Sequence, residues 1–296
     1  MSDSISVIIP TFNRAQLLRR ALLSVLNQTR QPNEIIIIDD GSVDETAELI
    51  AREFPAIRYI FQQNQGVSSA RNRGIAAASS EWIALLDSDD EWLSEKLHKQ
   101  MKLLQLEREN GTHYRICHTD EIWIRDGKRV NPKVKHQKFG GYIFQKCLPL
   151  CVISPSSAII HKSIFEEIGR FDESLPACED YDLWLRICAR YPVLFLPRPL
   201  LVKYGGQADQ LSRKFWGMDR FRVQALEKLL DDDHHALSPE NRLAVIEMLL
   251  KKLNILITGA KKRGNHEILD KYLEKLDYYQ NLAQNMSKRH VKKQLN

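Results

Sequence analysis

Over the first 110 residues, short apolar runs alternate with amphipathic stretches. Ile5-Ser6-Val7-Ile8-Ile9 is a β-branched run stopped by Pro10, which suits a first central strand. Thr11-Phe12-Asn13 reads as a turn. From about Arg14 to Gln28, Leu18, Ala21, Leu22, Val25 and Leu26 recur on one face at helical spacing. Glu34 to Asp40 contains four consecutive isoleucines, as in a strand buried on both faces of a parallel sheet. Asp44-Glu45-Thr46 opens a helix with Ala47, Ile50 and Phe54 inward, and Ile57 to Phe61 is a third strand. Gly66 to Gly74 leads into a helix ending near Ser80, and Trp82 to Leu86 is a fourth strand. This alternation predicts an α/β fold, a doubly wound and mostly parallel sheet flanked by helices and joined by right-handed crossovers.

After Asp90 the pattern changes. Leu93, Leu97, Met101 and Leu104 line a helix reaching Glu107, and Tyr114 to Ile124 reads as a strand before an Asp126-Gly127 turn. Arg125 to Lys138 is basic and polar, and is expected to be a solvated loop over the functional cleft. Pro155 to Ile160 is a strand, His161 to Ile168 a short helix, and Leu200 to Tyr204 the last strand. From Phe215 the chain is helical. Phe221, Ala225 and Leu229 form one stripe, Leu243, Ile246, Leu250, Leu253 and Ile257 a second, and Ile268, Tyr272, Leu273 and Leu276 a third after a break at Gly264-Asn265. The division expected is a sheet domain over residues 1–212, in halves 1–110 and 111–212, and a helical extension over 213–296. That extension either packs on the sheet domain or offers a surface for a homodimer.

Composition narrows the class. The chain has 43% hydrophobic and 27% charged residues, ordinary for a globular protein. Lys288, Arg289, Lys292 and Lys293 supply four of the five net positive charges, so the remainder is nearly balanced and no nucleic-acid partner is expected. The basic tail is expected to be solvated, with peripheral contact to anionic lipid as the alternative. Five cysteines without a CxxC pair, and an N-terminus without a signal-peptide pattern, point to a cytoplasmic protein.

The candidate chemistry sits where the strands end. Trp82 to Leu86 runs into Asp87-Ser88-Asp89-Asp90, three carboxylates within four residues that repel one another unless neutralised. Read as a site, Asp87-Ser88-Asp89 holds a divalent cation, Mn or Mg, together with substrate phosphates. Read as structure, the acids cap the following helix. Asp39 and Asp40 end the second strand on the same rim, where open α/β sheets bind ligands. The sequence contains neither GxGxxG nor GxxxxGK[ST], so dinucleotide and P-loop readings lose their main support.

Five blocks in order, ISVIIPTFN (5–13), SVLNQT (24–29), EIIIIDDGSVDET (34–46), GVSSARNRG (66–74) and WIALLDSDD (82–90), together resemble family 2 of the nucleotide-sugar glycosyltransferases. The resemblance implies the GT-A fold over roughly the first 210 residues. It implies that Pro10 and Phe12 touch the nucleobase, that Asp40 accepts a hydrogen bond from a uracil-type ring, and that Arg71 lies near base and diphosphate. Asp87 and Asp89 match the family's DxD motif, the first nearer the ribose and the second on the metal. Each residue also has a plain structural reading: Phe12 in the core, Asp40 in the Gly41-Ser42 turn, Arg71 on a helix surface.

Gly169 to Glu173 and Cys178 to Arg186 resemble the family's GxFDE and EDxDLWLR segments. A sugar hydroxyl is a poor nucleophile and needs a positioned base. The resemblance gives that role to Asp180, with Glu179 in support. Otherwise Glu179, Asp180 and Asp182 favour a helix N-terminus. Many relatives carry His where this chain has Gln207, which puts a third metal contact in doubt. Asp231 to His235 reads as a solvated loop, and the cysteines read as buried small hydrophobes, with Cys178, beside Glu179, the one to watch for thiol reactivity. The function implied is inverting transfer from a UDP-type nucleotide-sugar to a glycan or lipid-linked acceptor in cell-surface polysaccharide or glycolipid synthesis. The alternatives are nucleotidyl transfer and a non-catalytic nucleotide-sugar scaffold.

Overall fold

The computed structural model describes residues 3–206, 215–232 and 237–294, with side chains through Met286. Nine strands are described: β1 Ile5–Thr11, β2 Glu34–Asp39, β3 Arg58–Phe61, β4 Trp82–Leu85, β5 Glu91–Trp92, β6 Ile116–Arg125, β7 Lys128–Val130, β8 Ile159–His161 and β9 Leu194–Gly205. The helices between them are α1 Ala15–Leu26, α2 Thr46–Glu53, α3 Val67–Ala77, α4 Lys96–Glu109, α5 Phe144–Cys147, α6 Lys162–Ile168 and α7 Glu179–Cys188. Three more follow the sheet: α8 Asp219–Asp231, α9 Pro239–Lys262 and α10 His266–Gln294.

The sheet order is β3-β2-β1-β4-β8-β6-β9-β5, with β7 paired to β6. β3, β2, β1 and β4 are parallel to one another. β8 then runs antiparallel to β4 and β6, β9 is parallel to β6, and β5 is antiparallel to β9. The predicted α/β sheet is therefore parallel in its first half and mixed in its second. β1 pairs with β2 as far as Thr11 but with β4 only as far as Ile8. Pro10 thus lies beyond the ladder on the β4 side, where a missing N–H costs nothing.

Period-two alternation divides the buried residues between the faces of the sheet. Val7, Ile9 and Ile37 pack on one face with Leu18, Leu22 and Val25 of α1 and Leu97 and Met101 of α4. Ile8, Ile36 and Ile38 pack on the other with α3, α6 and α7. At Gly74, α3 comes so close to β1 that an added Cβ would lie 2.3 Å from Ile8 Cγ2. The helical extension belongs to the second core: Phe221, Leu229, Ile246, Leu253 and Tyr279 share it with Trp184 and Ile187.

Several sequence expectations shift. Pro155–Ser157 is a 3-10 turn, and the strand begins at Ile159. β9 starts six residues before the predicted Leu200 and bulges against β6 between Thr119 and Ile122. Along α9 the buried stripe runs through Val245, Leu249 and Leu256 as well as Ile246, Leu253 and Ile257, while Leu243 and Leu250 are only half-buried. Leu273 is 39% exposed, so it is not a core position of α10. No described helix is long and apolar enough to cross a membrane.

Candidate active site

The C-terminal ends of β1 and β4 face β6, β9 and the start of α7 across a cleft of about 430 Å³. The first half contributes Pro10, Arg14, Arg71, Asp87, Ser88, Asp89 and Asp90. The second contributes Trp123, Arg125, Cys151, Glu179, Asp180, Lys203 and Tyr204. Six of the eight residues predicted from sequence, all but Phe12 and Asp40, therefore line one cleft.

Arg71 joins the two halves. It rises from α3, is buried, and donates from Nη2 to Asp87 Oδ1 and from Nη1 to Glu179 Oε1, both at 2.7 Å. Its guanidinium carbon also sits 5.1 Å from the centre of the Phe171 ring. Burial would make this cation more acidic, but the two carboxylates outweigh burial and raise its pKa. Burial alone would raise Asp87; Arg71 and Lys203 overcome that and hold it below the ordinary carboxylate range. Glu179 lies above that range because burial and neighbouring Asp180 outweigh Arg71.

The acidic turn after β4 is braced from both sides. Leu86 N donates to Ile8 O, Asp87 N donates to Ser156 Oγ, and that hydroxyl donates to Asp90 Oδ2 at 2.6 Å. Trp92 Nε1 donates to Ser156 O, and Arg20 Nη2 donates to Asp89 O. Asp89 pairs with Arg14 at 3.2 Å. Burial and Asp87 nonetheless raise Asp89 above the carboxylate range, and burial pushes Asp90 up to about 8. A carboxyl whose charged form is disfavoured in this way gains from an added cation, so Asp89, beside the ionised Asp87, offers oxygens that suit a hard divalent ion. Among the described residues no group of three or more His, Cys, Asp or Glu side chains is placed to hold a metal ion.

Across the cleft, Cys178 precedes α7 with φ 62°, a left-handed backbone that a non-glycine residue holds only against strain. The chain then turns Glu179 inward to Arg71 and leaves Asp180 half-buried in the cleft. Asp180 Oδ1 accepts from Tyr181 N at 2.7 Å, and Oδ2 accepts from the Cys151 thiol at 3.2 Å. The Lys203 ammonium faces Asp90, Glu121, Asp87 and Asp180, which outweigh burial and raise its pKa.

Asp40 and Phe12 stand apart from this lining. Asp40 is buried; Oδ1 accepts from Gln62 Nε2 and Gln65 N, and Oδ2 accepts from Gly66 N at 2.8 Å. The carboxylate thus anchors the N-terminus of α3, the helix that carries Arg71. Asp39 holds the turn, accepting from Ser42 N and Tyr59 Oη. Phe12 is 45% exposed at the end of β1.

Two expectations are corrected. Cys178 is buried, as read for the cysteines generally, and burial pushes its thiol up to about 12, which disfavours the thiolate that reactivity at this position would need. The 125–138 stretch is not all solvated loop. Its β6–β7 hairpin lines the cleft through Arg125 and Val130, and Lys138 is buried against Glu121 at 3.1 Å. Gln207, Leu211-Ser212, Asp233-His234-His235 and the basic side chains at 288–293 lie outside the described residues and side chains.

Sequence reasoning missed Arg14, Lys203, Cys151 and Trp123. Arg14 directly follows a quoted block, and Lys203 precedes the noted Tyr204. Cys151 carries no local signal, because only folding brings it to Asp180.

The sequence pattern of "Glycosyl transferase family 2" matches residues 6–169, more than half of the chain. A Rickettsia bellii protein described as an uncharacterized glycosyltransferase is 35% identical over 188 residues, covering 63% of this chain and 26% of its own length. A Rickettsia felis protein of the same description is 30% identical and is covered over 35% of its length, so the chain spans about a quarter to a third of these relatives. The amylovoran biosynthesis glycosyltransferase AmsB of Erwinia amylovora is 29% identical, with 62% of this chain and 63% of AmsB covered. Among solved structures, residues 1–349 of S. aureus TarS in complex with UDP-GlcNAc superimpose with a TM-score of 0.70 at 17% identity. That match covers 93% of this chain and 80% of the other. The shared architecture is the GT-A fold.

Proposed function

Because the chain belongs to glycosyl transferase family 2, we propose that its cleft transfers a sugar from a nucleoside diphosphate, UDP first, to a hydroxyl of a glycan or lipid-linked acceptor. The transfer inverts the anomeric carbon. The observation that carries this reading is the Arg71 bridge, which ties the acidic turn to the helix start bearing Asp180 across a single cleft. The TarS complex with UDP-GlcNAc supports a UDP-sugar donor, and AmsB supports a role in polysaccharide assembly.

Pro10 and Phe12 take the nucleobase and Asp40 discriminates its ring, while Asp87 faces the ribose. Asp89 with Asp87 would hold Mn or Mg, which when bound would offset charge developing on the leaving diphosphate. Arg14 and Lys203 add cationic groups to the same cleft. Asp180 takes the proton of the acceptor hydroxyl. The oxygen then bonds to the anomeric carbon from the face opposite the diphosphate, which leaves with the electrons of its C–O bond. Glu179 does not act as the base, because Arg71 occupies it at 2.7 Å.

A thermal-shift screen of UDP-, GDP-, CDP- and dTDP-sugars and of ATP, with and without Mn, tests this reading. At a hundredfold excess over Kd, a ligand stabilises by about 2.7 kcal/mol. A UDP-sugar that raises Tm only with Mn is the expected result. Stabilisation by ATP alone, or by no nucleotide, overturns it.

A further inference from the structure

Cys151 lies in the segment between α5 and the Pro155 turn, half-buried on the wall of the cleft. Its sulfur is 3.2 Å from Asp180 Oδ2 and 3.1 Å from Ile153 O. A thiol has one hydrogen to give, and a carboxylate attracts it more strongly than a neutral carbonyl. No other described side chain donates a hydrogen bond to Asp180. The opposite oxygen is held by Tyr181 N. Each carboxylate oxygen is therefore fixed by one donor and keeps acceptor capacity for a substrate proton.

We propose that Cys151 is a positioning residue, whose thiol donates to Oδ2 and sets the orientation in which Asp180 meets the acceptor hydroxyl. The proposal rests on Asp180 being the general base. Burial and Asp180 itself raise the thiol well above its ordinary pKa, so it remains a protonated donor across the working pH range. A backbone donor on one oxygen and a side-chain donor on the other leave the carboxyl little freedom to rotate. Misorientation of a base lowers the rate of proton transfer without altering how the donor nucleotide binds.

Two measurements on the full chain test this. The first needs no activity: iodoacetamide labelling of Cys151, quantified by peptide mass spectrometry, with buried Cys117 as the control for folding. Removing the carboxylate in Asp180→Asn makes the thiol more acidic, and its labelling rate is expected to rise at least about threefold. A rate that is unchanged or lower overturns the contact. The second follows UDP release from the UDP-sugar with water as acceptor. Cys151→Ala is expected to lower kcat about fivefold at unchanged donor KM, and Cys151→Ser, which keeps a donor, to restore it to within about twofold. Wild-type kcat in Cys151→Ala, or no rescue by Cys151→Ser, overturns the positioning role. Wild-type turnover in Asp180→Asn would instead remove the base, a failure of the wider reading that the labelling result distinguishes.

Discussion

Replacing Arg71 with methionine keeps a side chain of similar length but removes the charge that two carboxylates share. Glu179 is the costlier loss. Its side chain is 6% exposed, whereas Asp87 is 23% exposed and also faces Lys203. Removing one partner of a buried ion pair costs about 3–5 kcal/mol. Because Asp87 keeps a second cation, that range covers the whole substitution. A large domain loses about 2–4 °C of Tm per kcal/mol, so Arg71→Met should melt roughly 6–20 °C below wild type at pH 7. The deficit also has a predicted pH dependence. Asp87 is depressed in the folded wild type, so its contribution is fully present above its unfolded value near 4 and is lost as pH falls through the folded value. Glu179, already raised, would rise further without Arg71 and would escape the penalty by protonating in mild acid. The Glu179 effect makes the gap widest at pH 7–8 and narrower toward pH 4, while the Asp87 part is lost only below about pH 4. Calorimetry or thermal-shift melts of the two proteins across pH 4–8 measure it. A deficit under about 2 °C, or one that stays flat or grows on acidification, would refute the Arg71 account.

Three further outcomes are expected. Asp89→Ala should remove the Mn-dependence of UDP binding, measured by calorimetric titration, while Tm stays within a few degrees of wild type because the residue lies beyond a strand end. Asp40→Asn turns an amide donor toward either Gly66 N or the Gln62 and Gln65 donors, so it should destabilise by about 1–3 kcal/mol and weaken discrimination among UDP, GDP and CDP; unchanged stability and selectivity would remove both roles. Lys96 is fully buried, donates to Gln100 and has its pKa pulled down to about 7 by burial. The unfolded chain therefore binds more protons between pH 7 and about 10.4, and wild-type stability should rise over that interval. Lys96→Met should flatten that rise, and equal slopes in the two proteins would contradict the assignment.

The sheet's first half was legible because its signals are local. Four isoleucines in a row divide between two cores as the parallel-strand reading requires, with Ile37 on one face and Ile36 and Ile38 on the other. The acidic strand end was legible for the same reason. The second half was harder because its strands pair across long separations. β8 is three residues long, and β9 carries two prolines and a bulge, so neither shows a clean period of two. The interior of the site was hidden for a similar reason. Lys138 reads as part of a solvated loop, and Lys203 and Lys96 carry no local signal; only the folded chain sets Lys138 on Glu121, Lys203 among four carboxylates and Lys96 over the Trp92 ring. Cys178 misled because adjacency to Glu179 in sequence says nothing about burial.

The central claim is that Asp180 removes the acceptor proton while the donor is held elsewhere in the cleft. Paired measurements on Asp180→Asn, UDP–Mn affinity by titration and UDP release from the stabilising UDP-sugar, test it directly. Loss of a general base costs on the order of 10²–10⁴ in rate, so turnover should fall by that factor with affinity unchanged. Turnover at the wild-type rate would contradict the claim and place the base at another carboxylate of the cleft.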